Sequence, residues 1–303
     1  MEFDAIVVGG GPAGLSAALV LGRCRRRVLV CDAGHPRNEA SGGVHGFFTR
    51  DCEKPEELRR IGREQLAPYA VEFRSVGVKS ISRDGRGFEV KLAKGGKVRG
   101  RKVLIATGVR DVVPDIPGFR EMFGKSVHHC PYCDGWEWRD QPVGVYARRQ
   151  KGFGLALSLR TAWTGDVAIF SDGGAGLSSV QRAELKRFDI AVYESRVLRL
   201  EGKDGMLARV VLADGSSVER RAIFLNTGFT QQCGLAKDLG CIFTDKGVVK
   251  TGRKEVTNVP GVFVAGDASR DVQMAIVAAA EGAKAAIAIN EELQHEARLG
   301  RRA

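Results

Sequence analysis

Residues 3 to 9 form an apolar run rich in β-branched side chains, which flows directly into Gly9-Gly-Gly11-Pro-Ala-Gly14. An Ala/Leu-rich stretch then continues to about Gly22 with the spacing of a helix. Arg27-Val-Leu-Val-Cys-Asp32 reads as the next strand. From about Val71 to Val98 apolar and polar positions alternate, with turns at Asp84-Gly85 and Gly95-Gly96, which predicts a small antiparallel excursion. Lys102-Val-Leu-Ile-Ala-Thr-Gly108 is a buried parallel strand ending in Thr-Gly.

A second α/β segment begins after Pro114-Asp-Ile-Pro117 and runs to about Lys237. It has its own strand at Val143–Ala147, a helix near Leu155 to Trp163 and a strand at Asp166–Ser171. Ala222-Ile-Phe-Leu-Asn-Thr-Gly228 repeats the apolar-strand-then-Thr-Gly pattern of residues 103 to 108. The first pattern resumes at about Asp245 and closes with Asp267 and an Ala-rich helix. The expectation is an α/β chain of two Rossmann-like, three-layer nucleotide-binding domains, the second inserted into the first. Residues 1–114 and 239–303 make the split domain, and 115–238 the insert.

The first unit carries a nucleotide fingerprint in its proper setting. Gly9, Gly11 and Gly14 sit between a strand and a helix, and Asp32 closes the second strand 18 positions beyond Gly14. Glycines permit a tight turn and let a pyrophosphate approach backbone amides at a helix N-terminus, where the dipole favours negative charge. Asp32 is placed to take ribose hydroxyls.

Composition narrows the class. At 303 residues, 44% hydrophobic and 27% charged, the chain suits a soluble protein with two substantial cores. The opening Met-Glu-Phe-Asp-Ala-Ile-Val-Val is too short and acidic for a secretory signal, and no apolar run approaches membrane-spanning length, so a cytoplasmic protein is expected. The net charge of +11 comes largely from clusters at Arg23–Arg27, Arg99–Lys102, Arg148–Lys151 and Arg298–Arg302. Two readings stand: solvated faces, or steering of an acidic partner such as an electron carrier. No nucleic-acid-binding motif accompanies the charge.

Seven cysteines include the pair Cys130-Pro-Tyr-Cys133, followed by Asp134. In a reducing compartment such a spacing points to thiol–disulfide exchange or to metal. A following helix N-terminus would lower one thiol pKa. Zinc needs two more ligands, and Cys233 and Cys241 make a poor second half-site, so no metal is expected. The five single cysteines read as small buried residues. Asp134 reads as a helix cap. His45, His128 and His129 read as bases or as packed residues, and Trp136 and Trp138 as walls of the insert.

With these landmarks placed, the chain resembles the low-molecular-weight thioredoxin reductases over nearly its whole length. Val44-His-Gly-Phe-Phe-Thr-Arg50, Cys130-Pro-Tyr-Cys-Asp-Gly-Trp136 and Val272-Gln-Met-Ala-Ile-Val look closest to one branch. That branch includes the dithiol oxidases of dithiolopyrrolone and gliotoxin biosynthesis. The resemblance implies FAD held by Gly9, Gly11, Pro12, Ala13, Gly14, Asp32, Ala33, Asn38, His45, Val78, Thr107, Gly108, Gly266, Asp267, Gln273, Met274 and Ala275. Cys133 then faces the flavin, Cys130 exchanges with substrate, and Asp134 relays protons with help from His45. Asp267 holds the ribityl chain, and the helix entered at Gln273 stabilises the reduced flavin. Small residues on that last helix serve either dimerisation of FAD domains, making a homodimer, or core packing.

The departures matter as much. NADPH-using members carry Gly-x-Gly-x-x-Ala in the insert, then a basic stretch after the next strand. Here the turn reads Ala147-Arg-Arg-Gln-Lys-Gly152, and Ser171-Asp-Gly-Gly174 follows the next strand. Arg148 and Arg149 obstruct a pyrophosphate, and Asp172 repels a 2′-phosphate while suiting the ribose of NADH. NADPH is therefore not expected as reductant, while Arg148 and Arg149 leave room for a second nucleotide or flavin. The expected function is FAD-dependent dithiol–disulfide exchange with a small dithiol or a thioredoxin-like protein. The alternatives are a ferredoxin-linked or NAD(P)H-dependent thioredoxin reductase, and a flavin-bearing redox sensor.

Overall fold

A computed structural model describes residues 2–269 and 272–300. The chain divides into two compact units: 1–37, 47–110 and 230–303 form one, while 38–46 and 111–229 form the other. The short stretch 38–46 thus packs with the inserted unit.

In the split unit, the strands Val71–Arg74, Val28–Cys31, Glu2–Val8 and Lys97–Ile105 lie side by side in parallel, and Val262–Val264 also pairs with the last. Lys97–Ile105 is long enough to do two jobs. Its first half pairs antiparallel with Gly87–Leu92, which pairs with Val78–Asp84, while its second half lies in the parallel sheet. This is the antiparallel excursion expected from the alternating pattern, except that it begins at Val78: Val71–Arg74, expected within it, is an edge strand of the parallel sheet.

Side chains of the central strands alternate between two cores, as the period of two requires. Ile6, Val8, Leu29 and Val264 feed one core, and Ala5, Val7, Val28 and Phe263 the other. The second core is closed by the helices Pro12–Arg23 and Ala275–Arg298. Ala278, Gly282, Ala285, Ala286 and Ile289 are buried on the last helix. A Cβ on Gly282 would come 2.0 Å from the Ala13 carbonyl oxygen, so only glycine permits this approach. These small residues pack into the core of the split unit.

The inserted unit has a parallel sheet of five strands, in the order Ala191–Tyr193, Val167–Phe170, Val143–Tyr146, Ala222–Leu225 and Val127–His128. Helix Gly152–Ala162 packs on it through Ala156 and Leu159. The strands Val197–Lys203, Met206–Leu212 and Ser217–Glu219 form a separate antiparallel sheet. Their inward residues Leu200, Leu207 and Val210 join Phe119, Phe170 and Ile223 in the core on the other face. Among the described residues no helix is long and apolar enough to cross a membrane.

Two expectations about side chains are corrected. Cys31 and Cys241 are buried, and burial pushes the Cys31 thiol up to about 11, but Cys24 and Cys52 are exposed and Cys233 is half-buried. Trp136 is 65% exposed with Arg139 stacked on its ring, so it does not wall the core.

Candidate active site

The nucleotide turn of the split unit is built by close approach. Gly9 has φ +110°, and a Cβ there would meet the Ala106 carbonyl oxygen at 2.3 Å. A Cβ on Gly14 would meet the Gly9 carbonyl at 1.9 Å. Gly11 is different: a Cβ there meets nothing within 4 Å. It caps the Pro12–Arg23 helix without any side-chain bond, and Pro12 occupies the first turn. The helix therefore begins with backbone amides beside open space, the arrangement that receives a phosphate. A Cβ on Gly10 would lie 2.8 Å from the Asp32 carboxyl carbon, which puts that acid against the glycine turn. Glycine turn, amides and adjoining acid together fit a dinucleotide.

The neighbouring segments converge on the same mouth. Ala13 lies 3.1 Å from where a Gly266 Cβ would stand, and the Gly266 amide donates to buried Glu281 at 2.8 Å. Asp267 Oδ2 accepts from Arg37 Nη1 at 2.8 Å, and the same nitrogen donates to Gln273 Oε1 at 2.7 Å. Met274 caps the helix that begins at Ala275. Thr107 Oγ1 accepts from the Cys233 thiol at 3.6 Å, and the following Gly108 has φ +69°. Ala33 lies opposite Gly77, with Val78 next in the chain and half-buried. Asn38 and His45 belong to the other unit. Arg37 was not anticipated. Nothing local in Gly34-His-Pro-Arg37 marks a partner in the C-terminal segment.

In the inserted unit Cys130 and Cys133 are joined as a disulfide, with Cα atoms 5.3 Å apart. Cys130 caps the turn Pro131–Asp134, and the Cys133 amide donates to its sulfur at 3.1 Å. This element is a single turn. The helix expected to depress a thiol pKa is too short to carry much dipole, and the amide at Cys130 Sγ is the local stabiliser. Gly135 lets the turn pack against Trp163, since a Cβ there would lie 2.9 Å from the indole.

Asp134 stands between two imidazoles. Its Oδ1 is 3.4 Å from His128 Nδ1 and 3.9 Å from His45 Nδ1. The His45 Nδ1 donates to the Cys133 carbonyl at 2.7 Å, and its Nε2 lies 3.6 Å from Glu137. Trp138 Nε1 donates to His128 Nε2 at 3.0 Å. His129 instead faces Asp111, at 3.6 Å. Among the described residues no three-membered group of His, Cys, Asp and Glu could hold a metal ion.

In the inserted unit, Asp172 and the 148–151 turn are held by the chain's own hydrogen bonds. Asp172 Oδ2 accepts from Tyr146 Oη at 2.9 Å and from Arg148 Nη2 at 2.7 Å, and its Oδ1 accepts from the Val197 amide at 3.1 Å. Burial opposes the charge on Asp172, but the bonds from Arg148, Tyr146 and Val197 together hold its carboxyl below the ordinary range. Burial, and then the bond to Asp172, pushes the Tyr146 phenol up to about 12. Both oxygens of Asp172 thus already accept hydrogen bonds from the chain itself. Gln150 Nε2 donates to the Gly176 carbonyl at 2.8 Å, and Asn226 Nδ2 donates to the Lys151 carbonyl at 2.7 Å. These bonds tie the 148–151 turn to both neighbouring loops.

A nucleotide turn in one unit and a redox disulfide in the other define a flavin-dependent oxidoreductase acting on sulfur. Comparison with known proteins agrees. The pyridine nucleotide-disulphide oxidoreductase family matches residues 3–151 and 166–282, and the chain belongs to that family. A probable thioredoxin reductase from Arthroderma benhamiae is 34% identical, covering 99% of this chain and 83% of its own length. The crystal structure of HlmI superposes with TM-score 0.94 at 38% identity, over 99% of this chain and 95% of that one. A putative thioredoxin reductase, TrxB from Bacillus anthracis, follows with TM-score 0.92 at 34% identity, over 97% and 99%. The protein is thus a thioredoxin-reductase-like enzyme of two nucleotide-binding domains, and FAD is the cofactor expected of its family.

Proposed function

We propose that this enzyme passes electrons between FAD, the Cys130–Cys133 pair and an external dithiol, and that NADPH is not its reductant. The observation that carries the second part is Asp172. Its carboxylate is engaged by Tyr146, Arg148 and the Val197 amide, in the loop that follows the strand Val167–Phe170. A 2′-phosphate there would meet this carboxylate, and the nearby Arg148 is already paired with it. FAD, when bound, supplies a two-electron store.

The exchange itself belongs to the cysteines. A substrate thiolate attacks Cys130 Sγ, the disulfide breaks, and Cys133 leaves as thiolate. The second substrate thiol, deprotonated in turn, attacks the substrate sulfur of the mixed disulfide. Cys130 then departs as thiolate, stabilised by the Cys133 amide that already points at it. Two protons leave the substrate and two return to the cysteines. Asp134 serves as the near proton acceptor.

Anaerobic rapid mixing tests the reading. Dithiothreitol is expected to bleach the flavin of the holoenzyme, and stoichiometric NADPH is expected to leave it oxidised on the same timescale. Fast bleaching by NADPH overturns the proposal. The relatives named thioredoxin reductase favour a second reading, in which the external partner is a thioredoxin-like protein. Turnover with a thioredoxin, but with no small dithiol, would select it.

A further inference from the structure

We infer that His45 is a positioning residue for Cys133, holding that residue's carbonyl through Nδ1 while the disulfide opens and closes. This deepens the proposed dithiol exchange and rests on it.

The element Pro131–Asp134 is a single turn, so its last carbonyls have no further helix to bond to. The one at Cys133 is met from a distant part of the chain: His45 Nδ1 lies 2.7 Å from the Cys133 carbonyl oxygen. A carbonyl can only accept, so Nδ1 carries the proton and donates it. A histidine at the C-terminal end of a helical turn serves such carbonyls well. Both residues belong to the inserted unit, because the stretch 38–46 packs with it.

This bond decides which nitrogen of His45 is free to exchange a proton. Nδ1 keeps its proton in the neutral ring and in the imidazolium alike, so it cannot take one from Asp134, whose Oδ1 lies 3.9 Å away. Only Nε2 can gain or lose a proton, and it faces Glu137 Oε1 at 3.6 Å. The imidazolium therefore meets Glu137 at Nε2, and the neutral ring leaves that edge to water, since the side chain is 20% exposed. Donation to Cys133 is the same in both. The help in proton relay expected of His45 thus does not run through the nitrogen nearest Asp134, and what the ring supplies is a fixed donor.

The exchange reaction needs such a donor. Within the turn, the Cys133 and Asp134 amides donate to the Cys130 carbonyl, at 3.2 and 3.1 Å, which ties the pair to itself and not to the rest of the unit. When a substrate thiolate attacks Cys130 Sγ, the bond between the two cysteine sulfurs breaks and its electron pair leaves with Cys133. The turn then loses its covalent brace. His45 keeps the Cys133 backbone where it was, so the released thiolate stays within reach of Cys130. Closure is the reverse step: Cys133 attacks Cys130 Sγ, the S–S bond re-forms, and the substrate leaves as thiolate. A held Cys133 raises the effective concentration of its sulfur at Cys130 and so favours the closed pair.

The test equilibrates FAD-loaded enzyme anaerobically in buffers of reduced and oxidised dithiothreitol. Acid quenching and alkylation then give the ratio of disulfide to dithiol by mass. His45→Asn carries an amide N–H at the position of Nδ1 and cannot titrate, so its ratio should match that of the wild type. His45→Ala has no donor, and His45→Gln carries its N–H too far from the backbone. Both should shift the ratio about tenfold toward the dithiol. FAD content and melting temperature report folding separately, and if His45→Ala does not fold, His45→Gln against His45→Asn decides. A His45→Asn ratio displaced as far as that of His45→Gln would give the role to Nε2 or to the charge of the ring, and overturn the inference. Wild-type ratios in every folded variant overturn it as well and leave the proposed function standing. A wild-type pair that dithiothreitol cannot open overturns both.

Discussion

Arg37 Nη1 lies 2.8 Å from Asp267 Oδ2, although 230 residues separate the two in the chain. Both side chains are largely buried, at 13% and 19% exposure. A buried carboxylate that loses its partner pays its desolvation without recompense. Arg37→Ala should therefore weaken FAD retention and lower the melting temperature, at a cost of about 2 kcal/mol. Adding Asp267→Asn should recover part of the melting temperature, because the unpaired charge is then gone. Thermal melts of the single and double variants, together with flavin content after gel filtration, check this. Strict additivity would refute the coupling.

The Tyr146–Asp172–Arg148 cluster gives a pH signature at both ends of the scale. Asp172 is held below its ordinary value, so its contribution to stability is present above the usual carboxylate pKa of about 4 and is lost as pH falls through the lowered value. Tyr146 is raised to about 12, so the folded state keeps its phenol proton longer than the unfolded chain does. That contribution is lost as pH rises from the ordinary phenol range towards the raised value. Asp172→Asn should flatten the acid side of the stability curve, and Tyr146→Phe the alkaline side. Urea unfolding across pH is the measurement. Unchanged curves in both variants would show that the cluster does not couple to folding.

Much of this architecture was legible in the sequence because it rests on local periodicity. The alternation from Val78 to Val98 became antiparallel strands, although Val71–Arg74 joined the parallel sheet, and the paired Thr-Gly strands became interior strands of two sheets. The glycine turn and Asp32 were legible for the same reason, since strand, turn and helix are consecutive. Other features depend on tertiary approach and carry no local mark. Arg37 meets Asp267 only after folding. His128, the last residue of the strand Val127–His128, meets Asp134, while His129 just beyond it meets Asp111. The partners of Asp172 carried no local mark either, since Tyr146 and the Val197 amide come from other strands. The exposure of Cys24 and Cys52 was likewise hidden, since composition alone ranks cysteine with buried residues.

Cys130→Ser and Cys133→Ser should each keep FAD and stability while abolishing multiple turnover with dithiothreitol. The pair lies in the inserted unit and the nucleotide turn in the split unit. Loss of one sulfur leaves attack without resolution, or resolution without attack. Residual turnover should fall by about a thousandfold, in line with removal of a covalent nucleophile. Flavin absorbance, melting temperature and steady-state thiol consumption separate the outcomes. Wild-type turnover in either variant would remove the pair from the reaction.

Gly11 and Gly14 permit a sharper test of the cofactor site, because the same small substitution has opposite consequences at the two. Gly14→Ala drives a methyl to 1.9 Å from the Gly9 carbonyl oxygen, a contact that backbone must move to relieve. That variant should lose several kcal/mol of stability, in the range of about 1–3 kcal/mol or more seen for overpacking, and fold poorly. Gly11→Ala places its methyl in open space at φ −78°, which any residue adopts. It should fold as well as the wild type, within the few tenths to about 1 kcal/mol that an alanine costs at a helix cap. Yet the open space beside Gly11 is where a pyrophosphate must approach the first amides of the Pro12–Arg23 helix. The Gly11→Ala apoprotein should therefore bind FAD at least about tenfold more weakly while melting normally, a loss of about 1.4 kcal/mol in binding alone. Titration of apoprotein with FAD, followed by flavin fluorescence, reads this directly. Full affinity in a well-folded Gly11→Ala protein would mean that the phosphates lie elsewhere, and the glycines would then serve only the turn.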